Sequence, residues 1–202
     1  MQTPDLILAS ASPRRRELLA QLGIGCKVVP AGILEQHLQG ETPEAYVQRI
    51  AAEKSLAVQA LEDGRLPVLA ADTEVVLDGR IFGKPRDQAH ASEMLGRLSG
   101  RDHTVFSAVS LRHGANHWTA LSVSNVRFRT ITTDEIDAYW LTGEPCDKSG
   151  AYAIQGLGAV FVERLMGSFS GVMGLPLHET AELLSRVDLA PLGRTQQNRK
   201  NE

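Results

Sequence analysis

The sequence predicts a mixed α/β fold in which one long twisted sheet is flanked by helices and a central cleft separates two lobes. Short apolar runs alternate along the chain with stretches whose apolar residues follow a helical period, and this alternation is typical of helices packed on a sheet. Two turn signals in the middle of the chain, Asp78-Gly79 and His113-Gly114, indicate hairpins, so the sheet is expected to contain antiparallel strands as well.

The N-terminal part of the chain predicts two strands and two helices. Residues 6–9 and 26–29 are short apolar runs that indicate strands. Between them, Ser12 can cap a helix whose first position suits Pro13, because the N–H that proline lacks is not needed there. Thr42-Pro43 opens the second helix in the same way. The residues assigned to the buried side of that helix are Ala45, Val47, Ile50, Ala51, Leu56 and Ala57.

The remaining elements follow from the same patterns. Residues 67–71 predict a compact strand that ends at Asp72-Thr73, and Thr132 with Glu135 predicts a capping box. Further strands are expected at 74–77, 81–82, 103–111, 118–129, 159–165 and 171–173, and further helices at 87–98, 132–141 and 177–187, with turns over the glycine-rich residues 143–158. Residues 1–192 are expected to form a single domain, and the polar tail 193–202 is expected to be disordered.

The composition excludes some classes of protein. The chain has 202 residues, is 43% hydrophobic and carries a net charge of −3, whereas a general nucleic-acid-binding protein would be expected to be basic. The N-terminus lacks the pattern of a signal peptide, and no apolar stretch reaches the about 20 residues needed to cross a bilayer. Cys26 and Cys146 fit two free thiols in the cytoplasm, although the sequence leaves a single disulfide open.

Three arginines at the predicted start of the first helix indicate a phosphate site. Arg14 and Arg15 lie in the first turn, beside backbone N–H groups that have no partner within the helix. Such a cluster repels itself unless an anion neutralises it, and polyphosphate suits both the helix start and the guanidinium groups. Ser10 can add a hydroxyl donor, and Arg16 is expected at the surface. The alternative is a solvated basic turn that pairs with nearby acids.

Charged residues at four other places could complete a catalytic site. Asp72, after a buried strand, can hold Mg²⁺ or accept a proton from an attacking water, but it can equally cap a turn. Glu35 is a loop acid, Lys54 can snorkel from its helix to the surface, and Lys84 lies in a glycine-proline turn. We assign Glu144, Asp147 and Lys148 to a flexible loop.

Four segments of the chain carry family motifs. They read LASASPRRRELL near the N-terminus, AEKS at 52–55, LAADTEVVLDGRIFGKPRD at 69–87 and DKSGAYAIQGLGAVFVERLMGSFSGVMGLPLHET at 147–180. In this order they resemble the Maf family of nucleoside triphosphate pyrophosphatases, over about residues 5–187. The resemblance implies an inosine-triphosphatase-like fold, a homodimer, and a divalent cation, Mg²⁺ or Mn²⁺. It also implies a reaction in which water attacks the α-phosphorus and releases the monophosphate and pyrophosphate.

The resemblance also implies a role for each matched residue. Charge stabilisation is what such phosphoryl chemistry chiefly demands. Carried over position by position, Ser10, Arg14 and Arg15 bind phosphate, Glu35 and Asp72 hold the cation with Asp72 also accepting the proton, and Lys54 and Lys84 neutralise charge on the phosphates.

Three positions match the branch of the family that acts on dTTP and UTP rather than on 7-methyl-GTP. They are Arg14, Thr73 and Gln155. Gln155 can present both a donor and an acceptor to a pyrimidine edge, and Thr73 can add a hydroxyl. Modified pyrimidine triphosphates could therefore fit the same site.

Two positions depart from the family pattern, and the sequence also leaves three alternative functions open. Leu34 stands where the family often has a second acid beside Glu35. Glu74 stands where an apolar residue is common. It can face the cleft as an extra metal ligand or face water, and we favour water. The other functions are a nucleotide-sensing regulator of cell division or septum formation with little turnover, a nucleic-acid-binding protein, and a phosphatase that releases single phosphates. The acidic net charge opposes the second of these.

Overall fold

A seven-stranded mixed sheet forms the centre of the computed structural model, which describes residues 3–192. The strands are β1 (Leu6–Leu8), β2 (Cys26–Val28), β3 (Val68–Leu77), β4 (Arg80–Ile81), β5 (Asp102–His113), β6 (Asn116–Phe128) and β7 (Val162–Met166). The helices are α1 (Pro13–Gln21), α2 (Pro43–Gln59), α3 (Gln88–Leu98), α4 (Thr133–Leu141), α5 (Phe169–Met173) and α6 (Leu177–Ser185). The strand order is β2-β1-β3-β5-β6-β7, and β4 pairs with β3 outside this path.

The parallel part of the sheet leaves a gap beside β3. β1 pairs in parallel with β2 and with Val68 and Leu69 of β3, whereas β3, β5, β6 and β7 pair antiparallel. Because β1 ends at Leu8, no strand of the described chain covers this edge of β3 until β4 pairs with Val76 and Leu77. The other edge of β3 stays paired with β5. Residues 70–74 therefore present an open sheet edge inside the molecule, and at Val75 the carbonyl already accepts the Phe82 N–H.

Within residues 3–192, four clusters of buried apolar side chains hold the helices onto the sheet. In the two largest clusters, Leu95 of α3 packs with Phe128 of β6, and Leu19 of α1 packs with Leu184 of α6. Burial of a side chain of this size contributes about 1.5–3 kcal/mol. Met173 of α5 packs against both clusters. The short helix α5 therefore joins the two largest clusters of the core.

The Asp78-Gly79 turn and the capping box of Thr132 and Glu135, both expected from local sequence, are confirmed. Asp78 and Gly79 adopt φ values of 52° and 73° and join β3 to β4, the left-handed pair that a two-residue hairpin needs. Thr132 and Glu135 form the capping box of α4. These motifs depend on neighbouring residues alone, so the sequence is enough to predict them.

Three strand predictions are wrong. Residues 68–77 form one strand, so Asp72 lies in the middle of β3, opposite Ala108 of β5, and not past the end of a strand. Residues 171–173 belong to α5, because the Ser168 side chain accepts the Gly171 N–H and starts a helix there. Residues 159–161 lie in a 3₁₀ turn, Leu157–Phe161, that precedes β7.

The two N-terminal helices differ from expectation in detail. Ser12 occupies the position that caps α1, but its side chain makes no capping bond, and Ser10 Oγ instead accepts the Ser12 N–H over 3.2 Å. In α2 the predicted buried positions Ala45 and Leu56 are exposed. The buried face is centred on Tyr46, Val47, Ile50, Ala51, Lys54, Ser55 and Val58, so one charged and one hydroxyl side chain take the place of apolar ones.

Three further expectations concern the tail, the membrane and the cysteines. The tail 193–202 lies outside the described residues. Within residues 3–192 no helix has the length and apolar character that a membrane crossing requires. Cys26 and Cys146 are both free, which confirms the two thiols and leaves no disulfide between them.

Candidate active site

The open edge of β3 borders a cavity of about 430 Å³. It is enclosed by the chain after β1, the start of α1, one face of α2 and the loops that precede β7 and α6. Arg15 and Asp72 line this same cavity. All the residues that the sequence nominated are brought together here: Ser10, Arg14, Arg15, Glu35, Lys54, Asp72, Thr73, Lys84 and Gln155.

The start of α1 forms a basic side of the cavity around Arg15. Its Nε donates to the Gly174 carbonyl over 2.8 Å, and its Nη atoms lie 3.3 Å from Ser10 Oγ and 3.5 Å from Thr73 Oγ1. These acceptors are all uncharged. Burial lowers the pKa of Arg15, and the nearby Asp72 acts in the opposite direction. A partly buried guanidinium whose hydrogen bonds all go to neutral oxygens keeps positive charge that favours a bound anion.

The other two arginines of the turn separate as the sequence suggested. Arg14 lines the cavity, and its Nη1 lies 3.4 Å from the Asp147 carboxylate. Arg16 is exposed and lies outside the cavity lining. Successive side chains of an α-helix point about 100° apart around the helix axis. Three consecutive arginines therefore cannot all face one site.

Lys54 connects the acidic side of the cavity to α2. Its Nζ donates to Asp72 Oδ1 and to Glu35 Oε2, each over 2.8 Å. The alternative in which Lys54 snorkels to the surface is excluded, because α2 packs across β3 and β5 and turns this face inward. An ammonium group in this position compensates the buried carboxylate of Asp72.

Asp72 keeps one oxygen free. Oδ1 accepts from Lys54, whereas Oδ2 is buried and has no hydrogen-bond partner among residues 3–192. An unpaired buried carboxylate oxygen is costly. It is therefore expected to meet a cation or a water when substrate is bound.

Glu74 also faces the cavity, and the expectation that it faces water is wrong. Side chains two positions apart share one face of a strand, so Glu74 lies beside Asp72, and Ser149 Oγ donates to Glu74 Oε2 over 2.7 Å. Burial and the Asp72 charge raise the pKa of Glu74 to about 7. The alternation of Asp72 and Glu74 along one strand was the sequence signal for this placement.

These carboxylates fit a divalent cation that also binds substrate. Residues 3–192 contain no preformed group of three or more His, Cys, Asp or Glu side chains that could hold a metal ion alone. Mg²⁺ in nucleotide enzymes is commonly held by one or two carboxylates together with phosphate oxygens. The free Oδ2 of Asp72, with Glu35 and Glu74 lining the same cavity, matches that requirement.

The segment 147–149 is a part of the site that sequence reasoning missed. Asp147, Lys148 and Ser149 all line the cavity, although the sequence assigned the first two to a flexible loop. Gly150 holds this segment against β3, because it adopts a φ of 73° and a Cβ there would lie 2.8 Å from Val75. Its N–H donates to the Gly83 carbonyl, next to Lys84. The glycine within DKSG was the available signal for this close approach.

The two residues assigned to base recognition differ in how free they are. Thr73 Oγ1 lies 2.8 Å from Ser107 Oγ and also near the Gly174 carbonyl, so its hydroxyl already has partners. Gln155 is an exposed residue on a turn at the cavity. Its side-chain amide is therefore the freer of the two to meet a ligand.

The chain is similar to known proteins over nearly its whole length. A family model described as Maf-like protein matches residues 5–187. The dTTP/UTP pyrophosphatase of Methylococcus capsulatus is 61% identical over 191 residues, which cover 94% of this chain and 95% of that protein. The dTTP/UTP pyrophosphatase of Escherichia coli is 51% identical over 184 residues, which cover 91% and 93%.

One solved structure is also similar. It is the crystal structure of a nucleoside-triphosphatase / dITP/XTP pyrophosphatase from Mycobacterium abscessus, with 17% identity and a TM-score of 0.44 over 95% of this chain and 96% of that chain. A similarity this low supports no conclusion about function.

Proposed function

The chain belongs to the Maf family, and from this premise we propose that it hydrolyses dTTP and UTP to the nucleoside monophosphate and pyrophosphate. Two relatives named dTTP/UTP pyrophosphatase, at 61% and 51% identity over nearly the whole chain, support this activity. The observation that carries the proposal is a single cavity in which the basic group Arg15 and the Lys54–Asp72 pair both take part. A triphosphate is the class of ligand that needs both.

The chemical step assigned to this chain is a proton transfer at Asp72. Water forms a bond to the α-phosphorus while the bond from that phosphorus to the oxygen bridging to the β-phosphorus breaks. The pyrophosphate leaves with the bonding electrons. Asp72 Oδ2, buried and without a partner among the described residues, takes the proton of the water, and Lys54 holds Oδ1 so that the carboxylate keeps its orientation.

Four cationic side chains stabilise the charge that builds up on the phosphates. Arg14 and Arg15 lie at the helix start, where N–H groups add to the positive field. Lys54 and Lys84 line the same cavity. Because these groups are already positioned, they need little reorganisation during the reaction.

A divalent cation, Mg²⁺ or Mn²⁺, completes the proposed site. When bound, it would neutralise phosphate charge and polarise the phosphorus–oxygen bonds. Asp72 and Glu35 would hold it together with phosphate oxygens, and Glu74 supplies a further carboxyl group in the cavity.

We assign base selection to Gln155, with Thr73 in support. An amide can donate to and accept from the edge of uracil or thymine, and modified pyrimidines with the same edge would be accepted as well. A cytoplasmic location and a homodimer are parts of the same proposal, and the two free cysteines are compatible with a reducing compartment.

A panel of nucleoside triphosphates with the products identified tests the proposal. We expect UTP and dTTP to be turned over faster than GTP and ATP, with pyrophosphate released and orthophosphate absent. Asp72→Asn is expected to lose about 10²–10⁴-fold in kcat, the usual contribution of a proton acceptor. The matched control is Asp102→Asn, whose exposed carboxylate pairs with Arg127 and whose loss should leave activity unchanged.

Each alternative function gives a different result in the same panel. Orthophosphate as the product would indicate a phosphatase. Tight nucleotide binding without turnover in the presence of Mg²⁺ or Mn²⁺ would indicate a regulatory nucleotide sensor. Equal rates on purine and pyrimidine triphosphates would contradict the role given to Gln155 and Thr73.

A further inference from the structure

Glu144, which the family motifs leave without a role, binds the backbone of the turn that carries Gln155. Its Oε2 accepts the Leu157 N–H over 2.9 Å, and its Oε1 accepts the Gly158 N–H over 2.9 Å. A Cβ added to Gly156 would collide with the Glu144 carboxylate. The carboxylate therefore sits directly against the backbone that follows Gln155.

Tyr139 of α4 extends the contact to the other side of the same turn. Its hydroxyl donates to Glu144 Oε1 over 2.6 Å and accepts the Ala153 N–H over 3.1 Å. A Cβ added to Gly158 would lie 2.6 Å from this hydroxyl. Gln155 thus lies between backbone N–H groups that are held by hydrogen bonds on both sides, Ala153 before it and Leu157 and Gly158 after it.

The Glu144 carboxylate and the Tyr139 hydroxyl have protonation states that suit them to hold the turn in place. Burial alone would raise the pKa of Glu144, but hydrogen bonds from Tyr139, Gly158 and Leu157 outweigh it and leave the pKa lower than usual. Burial, followed by the bond to Glu144, raises the pKa of Tyr139. The pair is therefore a charged acceptor and a neutral donor at neutral pH, which is a strong type of hydrogen bond.

We propose that Glu144 and Tyr139 are positioning residues for base selection, which hold the 153–158 turn so that the Gln155 amide meets the pyrimidine edge. The inference rests on the proposed function of Gln155 and adds the reason why that side chain points to one place. Gln155 itself is on an exposed turn, so its precision must come from the backbone on either side. A hydrogen-bonding group placed loosely discriminates poorly between substrates.

Beyond the 153–158 turn, the Glu144 carboxylate acts on the cavity lining only through the charge of Lys148 and makes no hydrogen bond to that ammonium group. Lys148 Nζ donates to the backbone carbonyl of Glu144 and not to its carboxylate, so a change of the side chain alone leaves that bond possible. Replacement of Glu144 or Tyr139 is therefore expected to affect recognition of the base and to spare recognition of pyrophosphate.

Steady-state kinetics of Glu144→Gln, Tyr139→Phe and Gln155→Ala test the proposal. For each variant we expect KM for UTP to rise roughly tenfold, the effect of one or two disordered hydrogen bonds, with kcat within about threefold. The preference for UTP over GTP should fall by a similar factor. Inhibition by inorganic pyrophosphate should stay within about twofold of wild type. Glu144→Gln combined with Gln155→Ala should be no worse than Gln155→Ala alone.

Glu135→Gln is the matched control. Glu135 lies at the start of the same helix α4 and bonds Arg129 and Thr132, so its loss destabilises α4 without touching the turn. We expect it to lower the melting temperature and to leave the UTP preference unchanged.

The possible outcomes separate the two proposals. A wild-type protein that shows no pyrophosphate release from UTP overturns the proposed function. A wild-type protein that prefers UTP, with variants at Glu144 and Tyr139 that keep both KM and preference, overturns this inference alone. Variants that lose kcat and stability together, while the preference among substrates stays constant, would assign Glu144 and Tyr139 a structural role only and also overturn it.

Discussion

Lys54 Nζ lies 2.8 Å from Asp72 Oδ1, and the side chains of both residues are almost fully buried, 11% and 5% exposed. The pair joins α2 to the open edge of β3. It places a fixed positive charge next to a carboxylate whose second oxygen stays free. The pair therefore has a structural role, the link between α2 and β3, and a chemical role, the orientation of the Asp72 carboxylate. The two roles can be tested separately.

Removal of Lys54 is expected to destabilise the fold through Asp72. Lys54→Met leaves the Asp72 carboxylate buried without its partner, which costs about 3–5 kcal/mol in comparable buried pairs. Lys54→Met combined with Asp72→Asn should recover most of that loss, because the uncompensated charge is gone. Urea unfolding of the two single variants and the double variant measures the coupling. Strictly additive losses would show that the two side chains do not depend on each other.

Arg14 and Arg16 offer a matched pair on one turn of helix. Arg14 lines the cavity and Arg16 is exposed outside it. Arg14→Ala should raise KM for UTP roughly ten- to a hundredfold, since one charge-assisted hydrogen bond to phosphate contributes about 1.5–3 kcal/mol. Arg16→Ala should keep KM within about twofold. The role of Arg14 in phosphate binding would be wrong if the two variants gave the same kinetics.

Cation and pyrophosphate are expected to bind together. No three carboxylate, imidazole or thiolate side chains within residues 3–192 form a ready metal site, so the cation needs phosphate oxygens as further ligands. Mg²⁺ with pyrophosphate should raise the melting temperature by more than the sum of the shifts that each gives alone. The Asp72→Asn protein should lose this excess. A full shift with Mg²⁺ alone would instead indicate a preformed cation site.

His103 predicts how stability depends on pH. It is 2% exposed, and its Nε2 lies 2.9 Å from the Tyr152 hydroxyl. Burial lowers the pKa of His103 to about 4, partly offset by Asp102. Because the folded pKa lies below that of an unfolded chain, the neutral ring's contribution is present above about pH 6.5 and is lost as the pH falls toward about 4.

The size of this effect can be measured against a non-titrating variant. Between pH 7 and pH 5 the wild type should lose roughly 2 kcal/mol more unfolding free energy than His103→Gln. His117, whose pKa is also lowered by burial and by Arg112, contributes in the same direction in both proteins and cancels in the comparison. The exposed His178, replaced by Gln, serves as the control. Equal pH profiles in the wild type and His103→Gln would contradict the assignment.

Local features were predictable and side-chain direction was not. The Asp78-Gly79 turn and the capping box of Thr132 and Glu135 depend on residues within one turn, so their sequence signals were sufficient. Glu74 was expected to face water, and the sequence left Lys54 open between a phosphate role and the surface, yet both side chains line the cavity. Whether a charged side chain points inward depends on what packs across from it, and that partner lies far away in the chain.

The sequence by itself determined the mixed α/β class, the family and the residue types of the site, because element patterns, motifs and their order are properties of short segments. Only the tertiary structure decided where the site lies. β1 ends while β3 continues, and α1, α2 and the 147–158 segment close around that open edge. The contact of Lys54 with Asp72 depends on this closure. It joins residues of α2 and β3 that core packing brings together, and no single segment encodes it.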